Sequence, residues 1–101
     1  MAIAITGRQD LRTIGALQGA LADAIGAGGD LALDLGGIES ADLAFVQLIE
    51  SARREAERAG VRLALAAPAQ GALREVIEQA GLLMPPDRPE AAFWTCGDAV
   101  Q

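Results

Sequence analysis

The sequence predicts an α/β fold: a single domain with a mostly parallel sheet of four to five strands and three helices. Short apolar runs alternate along the chain with longer amphipathic stretches, and strands that alternate with helices connect by crossovers onto one sheet. The run at residues 31–35 is apolar apart from Asp34, which suits a strand buried on both faces, as in parallel sheets. With 101 residues there is room for one hydrophobic core and no second. The whole chain, 1–101, therefore reads as one domain, with 83–101 as a C-terminal loop and tail.

Residues 2–6 read as a strand with Ile3 and Ile5 on one face, and Gly7, Arg8, Gln9 and Asp10 as a turn. A brief extended piece at Leu11 and Arg12 precedes Thr13, an expected N-cap. From there Ile14, Leu17, Leu21, Ala24 and Ile25 recur at helical spacing up to a glycine cluster. The second strand, 31–35, is closed by Gly36 and Gly37. The clearest helix runs over 42–59, with Phe45, Ile49, Ala52, Ala56 and Ala59 on one face and Gln47, Glu50, Arg54 and Glu57 on the other. Gly60 follows as a C′ residue, and 61–66 supply another strand. A third helix carries Leu73, Val76, Ile77 and Ala80 and stops at Gly81. Pro85, Pro86 and Pro89 make a stiff loop, and 91–95 read as a final short strand or a packed tail.

The composition excludes much. Although 51% of residues are hydrophobic, many are alanine, and charged or amide side chains break every run short of the roughly 20 residues that a membrane span needs. No basic segment precedes an apolar one at the start, so the expected compartment is the cytoplasm. There is no His and one Cys, which excludes zinc sites built from those ligands and an internal disulfide; no metal or cofactor is expected. A net charge of −6 with scattered arginines lacks the positive face that phosphate backbones demand, so nucleic acid is not an expected partner. Neither phosphate-cradling glycine motif is present. Asp34, Glu39 and Asp42 are the one carboxylate group that could do acid and base chemistry, and helix capping explains Asp42 without it.

The start of the long helix holds more apolar residues than one contact can cover. Leu43, Ala44, Phe45, Val46 and Leu48 span more than half its circumference. Either a loop or the Phe93–Trp94 tail covers the remainder, or Leu43, Val46 and Gln47 face outward as a docking surface for another protein. Phe93 and Trp94 are expected to pack rather than to stack on a ligand. Cys96 reads as a small filler or an exposed thiol.

Five segments together resemble the STAS domain, the family of anti-sigma factor antagonists and related regulatory modules. They are the strand LALDL, the GGIESAD that opens a helix, its continuation SARREAERAG, the strand VRLALAAP, and ALREVIEQAGL. DLRTIGALQGAL also resembles the family's short second strand and first helix. The resemblance implies a binding module, not an enzyme, whose contact surface is the loop and helix start: Glu39, Ser40, Asp42, Leu43, Ala44, Val46 and Gln47. In phosphorylatable members a hydroxyl follows the Asp in a pattern such as D-[ST]-[ST]-G-L. Here Leu43 and Ala44 stand in the hydroxyl positions and Phe45 in place of Gly, so the phosphosite equivalents cannot be phosphorylated; Ser40 is read as a cap or loop residue. The implied partner is an anti-sigma factor kinase or a chemotaxis or two-component signalling protein. The alternative is the small STAS subunit of a phospholipid-trafficking ABC transporter, which binds its ATPase. Homodimerisation through the helix start or a sheet edge stays open.

Overall fold

The computed structural model describes residues 1–84 and 87–96. The elements run β1 (Ala2–Gln9), α1 (Leu11–Gly26), β2 (Leu31–Ala41), α2 (Leu43–Arg58), β3 (Leu63–Leu65), α3 (Gly71–Gln79) and α4 (Pro89–Thr95). The sheet has the order β1-β2-β3, and both pairs are parallel. Three strands among the described residues stand where four to five were expected, and four helices where three were.

Each difference has a local cause. The extended piece at Leu11 and Arg12 is the first turn of α1, because Asp10 takes the cap in place of Thr13. The Arg12 N–H donates to Asp10 Oδ1 at 2.9 Å, and the Asp10 N–H donates back to Thr13 Oγ1 at 3.2 Å, a capping box one turn earlier than expected. Residues 91–95 form a helix, not a strand. With Pro89 at its start, helical spacing buries Ala91, Trp94 and Thr95 together, whereas alternation would have put Ala91 and Phe93 on one face. Of the expected proline loop, Pro85 and Pro86 lie outside the described residues, as do 97–101 of the expected tail.

β2 runs on through Gly36 and Gly37, where the strand was expected to close, and continues to Ala41. Register shifts against β1 fall between Ala4 and Thr6 and between Gly7 and Arg8, and Gly37 lies opposite Thr6. A Cβ on Gly37 would sit 2.7 Å from Thr6 Cγ2, so only glycine permits this close approach of the two strands.

The core lies on one side of the sheet. Ile5, Leu31, Leu33, Leu63 and Leu65 are buried beneath Leu21 and Ile25 of α1, Phe45, Val46 and Ile49 of α2, Leu73 and Ile77 of α3, and Trp94 of α4. The opposite face carries Ala2, Ala4, Thr6, Asp34 and Ala64, all exposed. The expectation that residues 31–35 are buried on both faces is therefore corrected: the strand alternates, with Leu31 and Leu33 inward and Asp34 outward. Ala2, Ala32 and Ala64 pair in one row across this open face.

Candidate docking site

The end of β2 and the start of α2 are held by a small polar network centred on Gln9. Its side chain is buried, donates from Nε2 to Thr6 O at 2.8 Å, and accepts from Thr13 Oγ1 at 3.0 Å. The Gln9 backbone oxygen accepts the Asp42 N–H at 3.2 Å. One residue thus ties the α1 cap to the α2 cap. Sequence reasoning missed Gln9, since Gly7 and the polar residues after it read as a turn, whereas β1 runs on to Gln9.

Asp42 closes the N-terminus of α2, with Oδ1 accepting the Phe45 N–H at 3.0 Å. Its side chain is committed to the helix and is half-buried. Glu39 and Ser40 are exposed at the end of β2, and with Arg8 and Asp10 they border a shallow open depression. Asp34, the third expected carboxylate, accepts the Gly36 N–H at 3.0 Å in its own strand. Among the described residues no group of three or more His, Cys, Asp or Glu side chains could hold a metal ion.

The first turns of α2 separate into two arcs. Leu43 is 49% exposed and Gln47 is exposed, whereas Phe45 and Val46 are 0% exposed; Ala44 is half-buried. Val46 was expected to face outward, and it does not. α3 packs against α2, and Val46 belongs to the core: it presents no exposed surface, although it lies at the base of the groove that Leu43 and Gln47 border. Leu43, Gln47, Ser51 and Arg54 instead form one bank of an open groove of about 500 Å³, with Ala80 and Leu82 on the opposite bank and Glu50 deep between them. Leu43 and Ala44 occupy the first positions after the cap, and neither has a hydroxyl.

α4 reinforces α2 from below. The Trp94 indole donates to Glu50 Oε1, while Glu50 Oε2 pairs with Arg53 Nη2 at 3.1 Å. Arg53 also approaches Glu90 of α4 at 3.7 Å and Glu57 at 3.8 Å. The Glu90 carboxyl is held below its ordinary value by a hydrogen bond from its own backbone N–H and by the charges of Arg88, Arg53 and Arg54; partial burial opposes them.

The sequence of the chain also matches a known family. A protein-family model described as "Mlab, STAS domain" matches residues 1–83. The chain belongs to the STAS domain family. STAS domains are in general regulatory or binding modules that mediate protein–protein contacts and are typically not enzymes. Among curated proteins none matches. One solved structure, described as "Crystal Structure Analysis of Mglu", resembles the chain with a TM-score of 0.58 at 22% identity. The likeness covers 68% of this STAS chain and 17% of that one, so it speaks for the fold alone. α4, at Pro89–Thr95, lies beyond the residues that the family model matches. Among the described residues no helix is long and apolar enough to cross a membrane.

Proposed function

We propose that this STAS domain is a non-enzymatic cytoplasmic docking module that binds a partner protein through Glu39, Ser40, Asp42, Leu43, Ala44 and Gln47 without a phosphorylation switch of its own. The observation that supports this reading is Leu43. It is a large apolar side chain half exposed at a capped helix start, where the phosphorylatable members resembled by this chain carry a hydroxyl. Ala44 at the next position offers no hydroxyl either. Exposed leucine beside a groove with an apolar far bank suits an apolar anchor of the partner, and the exposed Glu39 and Ser40 supply a polar rim. Asp42 acts from within, by fixing the helix start that the partner meets.

Two partner classes fit this surface. The first is a signalling protein, an anti-sigma factor kinase or a component of a chemotaxis or two-component pathway. The second is the ATPase of a phospholipid-trafficking ABC transporter, with this chain as its STAS subunit; the match to the Mlab family model favours it. The experiment is affinity capture of tagged protein and its Leu43→Asp variant from the native lysate, with mass spectrometry of what the variant loses. Loss of an ABC ATPase assigns the second class, loss of a signalling kinase the first. Identical capture by both proteins overturns the docking surface.

A further inference from the structure

Among the described residues β3 is an edge strand of the sheet. The Leu31 N–H donates to Arg62 O at 2.7 Å and the Ala66 N–H to Leu33 O at 2.8 Å, while Leu31 and Leu33 lie opposite Leu63 and Leu65. In a parallel ladder this pattern turns the peptide groups of Arg62, Ala64 and Ala66 towards β2 and those of Leu63 and Leu65 away from it. The N–H and C=O of Leu63 and the N–H of Leu65 thus face outward with no backbone partner among the described residues. The Leu65 oxygen accepts from Cys96 Sγ at 3.5 Å, which marks where α4 meets the strand.

An open groove of about 540 Å³ runs beside this edge. Residues 61–65 form one wall, Pro89, Ala92, Phe93 and Cys96 of the α4 segment form the other, and Arg53 lies at the groove together with Glu57. Arg53 Nε is buried and has no hydrogen-bond partner among the described residues.

We infer that the β3 edge is an acceptor site for an extended peptide segment of a partner protein, which adds to the sheet beside Leu63 and Leu65 and lays an apolar side chain against Ala92 and Phe93. The exposed peptide groups name the occupant. Donor and acceptor at Leu63, then donor at Leu65, match a polypeptide in extended form, whereas the middle of a helix has its backbone groups already paired. A second copy of this chain fits less well. Two β3 strands paired about a two-fold axis share a ladder of three residues each, and β3 placed on the β1 edge of another copy makes a head-to-tail contact that does not close. None of these residues belongs to the helix-start surface, so the two sites fail or stand separately.

Short random peptides displayed on phage, selected on the intact protein and then synthesised, are the probe. The expected result is that a selected peptide slows amide exchange at Leu63 and Leu65 by about tenfold or more. Methylating the backbone nitrogen of its central residue abolishes binding, with no change to the protein. Ala92→Trp, which fills the groove, weakens binding by about tenfold. The inference is overturned if no selected peptide slows exchange at Leu63 and Leu65, or if the peptides act at Leu43 and Gln47 instead. It is equally overturned if the free protein already protects both amides and sediments as a dimer, because the occupant is then a second copy.

Discussion

Trp94 of α4 and Glu50 of α2 meet in a buried hydrogen bond of 2.7 Å, 44 residues apart in the chain. The carboxyl group spans two elements, since its other oxygen pairs with Arg53. Trp94 is fully buried and stacks edge-on with Phe93 at 5.2 Å. Trp94→Phe keeps most of the ring and removes the donor, leaving a buried oxygen without it. We expect a loss of about 1–3 kcal/mol in urea unfolding. A loss below about 0.5 kcal/mol would show that water replaces the indole N–H without cost.

Gly37→Ala should destabilise the protein by about 1–3 kcal/mol, because the new methyl meets Thr6 Cγ2 at 2.7 Å in a paired strand. Thr6→Ser removes that methyl and should restore part of the loss. Thermal unfolding of the two single variants and the double variant measures the coupling; strict additivity would mean that the clash is not the cause.

Leu43 and Val46 separate docking from folding. Leu43→Asp changes an exposed residue at a helix start that tolerates negative charge, so stability should stay within about 0.5 kcal/mol while partner affinity falls by tenfold or more, about 1.4 kcal/mol. Val46→Glu places a carboxyl in a fully buried position and should leave the chain unfolded at neutral pH, as circular dichroism would show. A folded Val46→Glu protein would contradict the packing described here.

The cap on α2 is tested by a pair of variants. Asp42→Ala removes the acceptor for the Phe45 N–H and should cost about 1 kcal/mol; Asp42→Asn keeps an oxygen there and should cost only a few tenths. Equal losses for the two variants would place the effect in charge rather than in the hydrogen bond.

Glu90 is expected to make the packing of α4 sensitive to acid. Its folded-state pKa lies below the ordinary 4.5, so its contribution is present above that value and is lost as pH falls through the lowered one. Trp94 is the chain's one tryptophan, and its fluorescence on acid titration reports whether α4 stays packed. Glu90→Gln should remove this component of the acid response and lower stability at neutral pH; an unchanged acid profile would assign the response to other carboxyls.

The fold class, the order of the main elements and the helical core positions were legible because they rest on local periodicity. Phe45, Ile49, Ala52 and Ala56 are spaced for one helix face, and all four are buried. Gly26 and Gly60 punctuate the chain where α1 and α2 end. The candidate site was legible in outline, through Asp42 as a cap and Leu43 and Ala44 after it. Its facing was not. An apolar arc wider than half a turn does not say which of its members meets a neighbour, and α3 settled that Val46 goes inward and Leu43 outward.

What the sequence determined by itself is what short-range chemistry controls: helix spacing, a carboxylate at a helix start, and the absence of His, Lys and a second Cys. Tertiary structure decided the rest. Gly36 and Gly37 look like the end of a strand, but β2 continues through both, and Thr6 of β1 lies so close to Gly37 that a side chain there would clash. Gln9 looks like surface until two helix caps converge on it. Residues 91–95 have the aromatics of a strand, but they coil into a helix that seats Trp94 on Glu50. Contacts between residues far apart in the chain depend on which faces meet, and local periodicity does not encode that.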